Sequence, residues 1–298
     1  MNSDIARTII LHAVKTTQPR WSEYDTFWST IDQIFIQRGY EQGGFQMYKM
    51  VPLFEEKNIN SIESLGSILN NYTGPRKYDR NYAGSLNSEF YNELRSAKFG
   101  NTGAALYGCV NLFLTKKLGN PGAFFWRMIW QLLISCNYLR ENYNSSFSEY
   151  VKTEYAKFIS KECVSDSAIL AMSCEEWNEF LQKVKPWQNL YGIGENIFNF
   201  IVGDIVEAKF VPGAYKLDAS NRRFLQVTGI ADLINPLDRE TIIKFLKGLN
   251  LTYTLREINK GIFTYCSLDQ KKNFGFCRPK HKCQCLVCEV SKLCKKLL

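Results

Sequence analysis

The chain has 298 residues, of which 45% are hydrophobic and 22% are charged, and its formal net charge is +8. This balance is typical of a folded protein with a sizeable core, and it argues against wholesale disorder. No apolar run reaches the roughly 18 residues of a membrane span. Met1-Asn2-Ser3-Asp4 also lacks the basic segment of a signal peptide. We therefore expect a protein inside the cell that does not associate with a membrane.

Apolar periodicity along the chain is mostly that of helices, and strand patterns are few and short. It predicts helices over residues 4–14 (with Ser3 as the cap), 22–38, 45–70, 104–117, 122–139, 147–160 and 164–172. Residues 71–103 have a Gly74-Pro75 break and a polar stretch with weak periodicity, which predicts a loop or an insertion. The sequence thus predicts an all-α protein with a boundary within residues 71–103.

Two glycines are placed where a tight hairpin between helices is expected. Ser173-Cys-Glu-Glu176 is a capping-box pattern that begins a helix reaching about Val184. Leu190-Tyr-Gly192-Ile-Gly194 then precedes a second helical pattern over residues 195–208. Positive φ at the glycines and the free amides at the start of the second helix would suit a DNA phosphate. The same residues also fit an ordinary turn.

The segment after this hairpin reads Lys216-Leu-Asp218-Ala-Ser-Asn-Arg222-Arg223. Asp218 precedes a short helical pattern, so one interpretation is a helix N-cap. A partly desolvated carboxylate can also stabilise positive charge on a sugar and orient an attacking water. Asp218 is therefore expected to cap a helix, to act as a catalytic residue, or to do both.

The sequence thus has the motif Leu-X-Gly-Ile-Gly, followed after about two dozen residues by Leu-Asp-X-X-X-Arg-Arg. This combination resembles the signature of the helix-hairpin-helix DNA glycosylase superfamily, which includes endonuclease III and MutY. The resemblance implies two helical lobes with an active-site cleft between them. It implies that Asp218 supports hydrolysis of the N-glycosidic bond of a flipped, damaged or modified base. Ala219 stands where the family usually has threonine, which is a modest departure.

The resemblance also implies which residues contact double-stranded DNA. These are Gly192, Gly194, Asn196, Arg222, Arg223, Arg278, Lys280 and Lys282. Relatives that also cut the strand carry a lysine nucleophile at the position of Asn196. Asparagine cannot form the Schiff base, so the resemblance implies base removal without AP-lyase activity.

The last 22 residues contain five of the ten cysteines. Cys277, Cys285, Cys288 and Cys294 are spaced Cys-x7-Cys-x2-Cys-x5-Cys, and the last two spacings match those of the endonuclease III and MutY cluster. The resemblance implies a [4Fe–4S] cluster. Zinc bound by four cysteines is the alternative, and Cys283 is an alternative ligand.

The basic residues are also concentrated in this tail. From Lys271 onward, eight lysines and arginines face the single acid Glu289. This predicts a polyanionic partner, nucleic acid first, although a solvated tail has the same composition.

We therefore expect a region of unclear role at 1–103, a glycosylase core at 104–265 with its hairpin at 190–194, and a basic cluster loop at 266–298. Gln131, Ser135 and Asn137 are candidates for the base pocket or ordinary core residues. We expect a monomer in the cytoplasm or nucleoid, or in the nucleus of a eukaryote.

Two alternatives remain open at this point. One is a relative that modifies or exchanges bases in hypermodified, for example viral, DNA. The other is a non-catalytic DNA-binding protein that has kept the hairpin and the iron–sulfur loop.

Overall fold

A computed structural model of the chain describes residues 1–17, 31–40, 47–70, 90, 92–117, 123–203, 211, 215–267, 275–278 and 284–295. Within these ranges the regular structure is helical and there is no strand, which confirms the all-α prediction. None of the described helices is long and apolar enough to cross a membrane.

The α-helices, numbered in chain order, span the following residues. They are α1 Ser3–Thr17, α2 Ile31–Gly39, α3 Met47–Glu55, α4 Ile62–Ser67, α5 Gly100–Lys117, α6 Ala123–Asn142, α7 Phe147–Phe158, α8 Asp166–Leu170, α9 Cys174–Val184, α10 Glu195–Gly203, α11 Ala219–Thr228, α12 Arg239–Gly248, α13 Leu255–Cys266 and α14 Gln284–Val287. Short 3-10 turns occur at Pro186–Asn189 and Ile230–Leu233.

The chain divides into two compact units. Unit 1 combines Met1–Asp25 with Val211–Leu298, and unit 2 is Thr26–Phe210. This division differs from the three consecutive segments expected from the sequence, because the first residues of the chain join the last ones in one core.

Three local expectations are refined. The cap of α1 is Asn2 and not Ser3, since the Asn2 side chain accepts a hydrogen bond of 2.9 Å from the Ile5 amide. The loop expected over 71–103 contains a helical turn at 92–95 and the start of α5, while residues 71–89 lie outside the described part. The helix expected at 22–38 is described from Ile31 onward.

The core of unit 1 is built around α13, which packs against α1 and α11. Gly261 on α13 permits the close approach, because a Cβ atom there would lie 3.0 Å from the Val14 Cα. The Thr17 hydroxyl donates a hydrogen bond of 3.4 Å to the Gly261 carbonyl at the same crossing. At the end of α13, the Tyr265 ring stacks on Phe276 with 4.3 Å between centroids.

Unit 2 is organised around α6, the long apolar helix, which packs against α4. The capping box at Ser173 is confirmed, since Ser173 and Glu176 exchange side chain-to-backbone hydrogen bonds at the start of α9. Trp177 of α9 is fully buried, and its indole N–H donates a hydrogen bond of 2.8 Å to the Asn199 side chain on α10. These contacts place the helices on either side of the hairpin.

The crossing of α4 and α6 yields a test of the core of unit 2. A Cβ atom at Gly66 would lie 2.8 Å from the Cys136 backbone carbonyl, so Gly66→Ala must push the helices apart. We expect it to lower the free energy of unfolding by about 1–3 kcal/mol. Urea unfolding followed by circular dichroism measures the change.

Gly108, inside α5, provides the matched control because a Cβ atom there meets nothing within 4 Å. We expect Gly108→Ala to stabilise the protein by roughly 0.5–1 kcal/mol, since alanine reduces the entropy of the unfolded chain. Equal effects at the two positions would contradict the proposed close crossing.

Candidate functional site

The predicted hairpin is present between the 3-10 turn Pro186–Asn189 and α10. The Ile193 amide donates a hydrogen bond of 3.1 Å to the Leu190 carbonyl, which closes the turn. Leu190 and Ile193 are buried, whereas Gly192, Gly194 and Asn196 are exposed. The apolar residues therefore anchor the hairpin, and the two glycines, Glu195 and Asn196 are exposed.

Buried polar groups of unit 2 hold the hairpin backbone. The Tyr40 hydroxyl donates a hydrogen bond of 3.0 Å to the Tyr191 carbonyl. The Tyr191 amide donates one of 2.8 Å to the Ser135 hydroxyl, which is fully buried. A Cβ atom at Gly192 would lie 2.6 Å from the Gln131 side-chain oxygen. Ser135 and Gln131, considered for a base pocket, thus support the hairpin.

Asn137, the third pocket candidate, is also an interior residue. It is buried, and its side-chain oxygen accepts a hydrogen bond of 3.3 Å from Arg140. The core interpretation fits Asn137 better than a base contact.

The two hairpin glycines have different backbone conformations. Gly192 has a φ of +79°, in the left-handed region, whereas the φ of Gly194 lies outside that region. The expectation of positive φ is therefore wrong for Gly194. The first amides of α10 have no intrahelical acceptors and carry the positive end of the helix dipole. The exposed Glu195, in the same turn, places a negative charge beside them.

Asp218 lies in unit 1 and is the N-cap of α11, which confirms the capping interpretation. Its Oδ1 atom accepts hydrogen bonds of 2.8 Å from each of the amides of Ser220 and Asn221, and one of 3.2 Å from the Asn221 side chain. Oδ2 accepts none from the residues that the structure describes. The carboxylate is half-buried, and its hydrogen bonds with the described residues are all made by Oδ1.

Tyr215 lies near this carboxylate with its ring fully buried. Burial, and to a smaller extent the charge of Asp218, raise the pKa of the Tyr215 hydroxyl above its ordinary value. The phenol is therefore protonated at neutral pH, and it adds no negative charge beside Asp218.

The basic residues expected to contact DNA differ in exposure. Arg222 is exposed on α11, whereas Arg223 and Arg278 are half-buried. Lys280 and Lys282 lie outside the described residues. Of the described set, Arg222 is the side chain most open to a polyanion.

The cysteine segment folds back onto the core of unit 1. Cys277, Cys288 and Cys294 pack against this core, and Cys285 is half-buried on α14. The Tyr265 hydroxyl lies 3.1 Å from the Cys288 sulfur. The Lys295 amide donates a hydrogen bond of 3.1 Å to the Thr228 carbonyl and fixes the segment to the end of α11.

Cys277 and Cys288 both lie near Tyr265, but the described thiols form no coordination shell. Within the described ranges, no three side chains of His, Cys, Asp or Glu are grouped so as to hold a metal ion. The thiol of Cys277 instead shares a hydrogen bond with Cys266, and this bond together with burial raises the pKa of Cys277. Cys283 is outside the described residues. The donor chemistry suits a thiolate-bound group, but the described residues do not form its coordination geometry.

Some residues at these sites were not identified from the sequence. Cys266, at the end of α13, had no spacing signal that linked it to Cys277. Asn221 bonds to Asp218, and Asn259 bonds to the backbone just before it, but neither asparagine is part of a recognisable motif. Their burial on apolar helical faces is the one available signal, because buried polar side chains are usually hydrogen-bonded.

Comparison with known proteins identifies no protein that is similar to this chain. No protein-family model matches the chain, no curated protein matches it, and no solved structure matches it.

The contrast between the two hairpin glycines gives a second test. Gly192→Ala places a side chain at positive φ and against Gln131, so we expect a loss of about 1–2 kcal/mol in the free energy of unfolding. Gly194→Ala meets nothing within 4 Å, and we expect it to change stability by less than roughly 0.5 kcal/mol. Equal losses in chemical denaturation would contradict this account of the hairpin.

Proposed function

We propose that the protein is a monofunctional DNA glycosylase that hydrolyses the N-glycosidic bond of a flipped, damaged or modified base. The observation that carries this proposal is the hydrogen bonding of the two carboxylate oxygens of Asp218. One oxygen of its carboxylate is held by three donors, and the other accepts no hydrogen bond from any described residue. A half-buried carboxylate with one engaged and one open oxygen is suited to act on a bound molecule.

The proposed chemistry needs such a carboxylate. Departure of the base leaves oxocarbenium character on the sugar, and a negative oxygen beside C1′ stabilises that charge. The same oxygen can accept a proton from the water that attacks C1′. In this proposal Oδ2 of Asp218 performs both roles, while Oδ1 stays bound to the start of α11.

The hairpin supports the proposal through its exposed backbone. Gly194 and Asn196, which are exposed at the start of α10, offer backbone amides that can bind a DNA phosphate. Glu195 opposes this attraction, so we propose that arginines such as Arg222 provide most of the attraction for double-stranded DNA. Asn196, in the first turn, has no amine, so abasic DNA is the expected product.

The cysteine segment would have a structural role in this proposal. Cys277, Cys285, Cys288 and Cys294 would hold a [4Fe–4S] cluster, with zinc as the alternative. The bound group would fix the basic tail onto the core of unit 1, where Arg278 is already placed.

The central test is base release from duplexes that carry a panel of damaged or modified bases. We expect alkali-labile abasic sites with the wild-type protein and no strand cleavage before alkali. Asp218→Asn keeps the size of the side chain but removes the negative charge, and we expect it to lower the rate by about 100-fold or more. Released bases are identified by mass spectrometry.

The matched control is Asp238→Asn, because Asp238 also caps a helix, α12, and accepts a hydrogen bond from the Thr241 amide. Both variants weaken a cap, so they should lose similar stability, but only Asp218→Asn should lose activity. DNA binding with no abasic product on any duplex would favour a non-catalytic DNA-binding protein.

The bound group is tested independently of activity. Protein purified without oxygen should be brown, with broad absorption in the visible range and about four iron atoms per chain. Replacement of Cys288 by serine should remove the colour, whereas Cys163→Ser, at an exposed cysteine on the surface of unit 2, should not. A colourless protein with one zinc ion would favour the alternative, and a metal-free folded protein would contradict both.

A further inference from the structure

We propose that Asn221 and Asn259 are positioning residues that set the orientation of the Asp218 carboxylate. This inference rests on the proposed glycosylase function. It identifies groups that act on the reaction through Asp218 without contacting DNA.

The hydrogen bonds around Asp218 form a continuous path between two helices. The Asn221 side-chain nitrogen lies 3.2 Å from Asp218 Oδ1 and 3.5 Å from the Asn259 carbonyl on α13. The Asn259 side-chain nitrogen donates a hydrogen bond of 2.7 Å to the Lys216 carbonyl. Helix α13 therefore holds the carboxylate through Asn221 and the preceding backbone through Asn259.

The Asn221 side chain adds something that an ordinary N-cap lacks. Two backbone amides already reach Oδ1, but rotation about the last torsion of an aspartate is soft. A third donor, the Asn221 side chain, also bonds to the Asn259 carbonyl on α13, and this second anchor limits the rotation. Oδ2 then keeps one direction, which the proposed reaction needs.

The environment of Asn221 argues against a purely structural role. Asn221 is fully buried, and its Oδ1 atom has no hydrogen-bond partner among the residues described. An unpaired buried oxygen destabilises a fold, and a leucine of similar size would avoid it. What asparagine provides here is a nitrogen that donates both to Asp218 and to the Asn259 carbonyl, so its contribution lies in orientation.

The experiment compares Asn221→Leu with Asn259→Ala on the duplex from which the wild-type protein releases a base. Misorientation of a catalytic group lowers the chemical step, so we expect kcat to fall roughly tenfold to a hundredfold for Asn221→Leu. Affinity for a duplex with a tetrahydrofuran abasic-site analogue should stay within about twofold, because no DNA contact is lost. The melting temperature should be unchanged or higher, since the unpaired oxygen is removed.

Asn259→Ala provides the second variant, which acts from α13 and leaves Asn221 in place. We expect a lower kcat with unchanged affinity for the analogue, and this variant decides the question if Asn221→Leu does not fold. Thr228→Val is the control, because Thr228 is buried on α11 and its hydroxyl bonds, among the described residues, only within α11 and to the Ile230 amide. The control should retain wild-type kcat.

The outcomes separate this inference from the proposed function. Wild-type kcat in folded Asn221→Leu, with Asp218→Asn inactive, overturns the positioning role and leaves the glycosylase function intact. A loss of kcat that parallels a loss of melting temperature in both asparagine variants would assign them a structural role. Absence of base release by the wild-type protein overturns both proposals.

Discussion

The packing of α13 against α1 is the interaction on which most of unit 1 depends. Gly261 lets the two helices approach closely, and Thr17 bonds across the crossing. The same helix presents Asn259 toward the loop before Asp218 and Tyr265 toward the cysteine segment. One helix therefore connects the proposed catalytic carboxylate with the basic, cysteine-rich tail, and a shift of α13 would disturb both.

Local signals in the sequence predicted the local structure well. The capping box at Ser173 and the cap at Asp218 were predicted because a cap needs only residues within three positions of each other. The hairpin was predicted for a similar reason. The conformation of Gly194 was not, since a Gly-X-Gly pattern does not state which glycine takes positive φ.

Contacts between distant residues could not be predicted in this way. Asn221 and Asn259 are 38 positions apart, and the Tyr40 hydroxyl reaches a carbonyl 151 positions away. Weak periodicity at 71–103 predicted a boundary there, whereas the compact units divide after Asp25 and after Phe210, where the packing of α1 places the first residues with the last ones. In unit 1, motif and spacing therefore identified Asp218, whereas only the fold brings its supports Asn221 and Asn259 together.

The discontinuous path of unit 1 also affects how the chain is made. During synthesis, all residues of unit 2 are available once residue 210 has emerged, whereas α1 cannot pack against α13 until the residues of α13 have been synthesised. The apolar face of α1, with Ile9, Ile10 and Val14, has no partner from unit 1 during that interval. A nascent chain in this state exposes hydrophobic surface that chaperones bind and that promotes aggregation. The order of translation thus makes the first helix one of the last to reach its native environment.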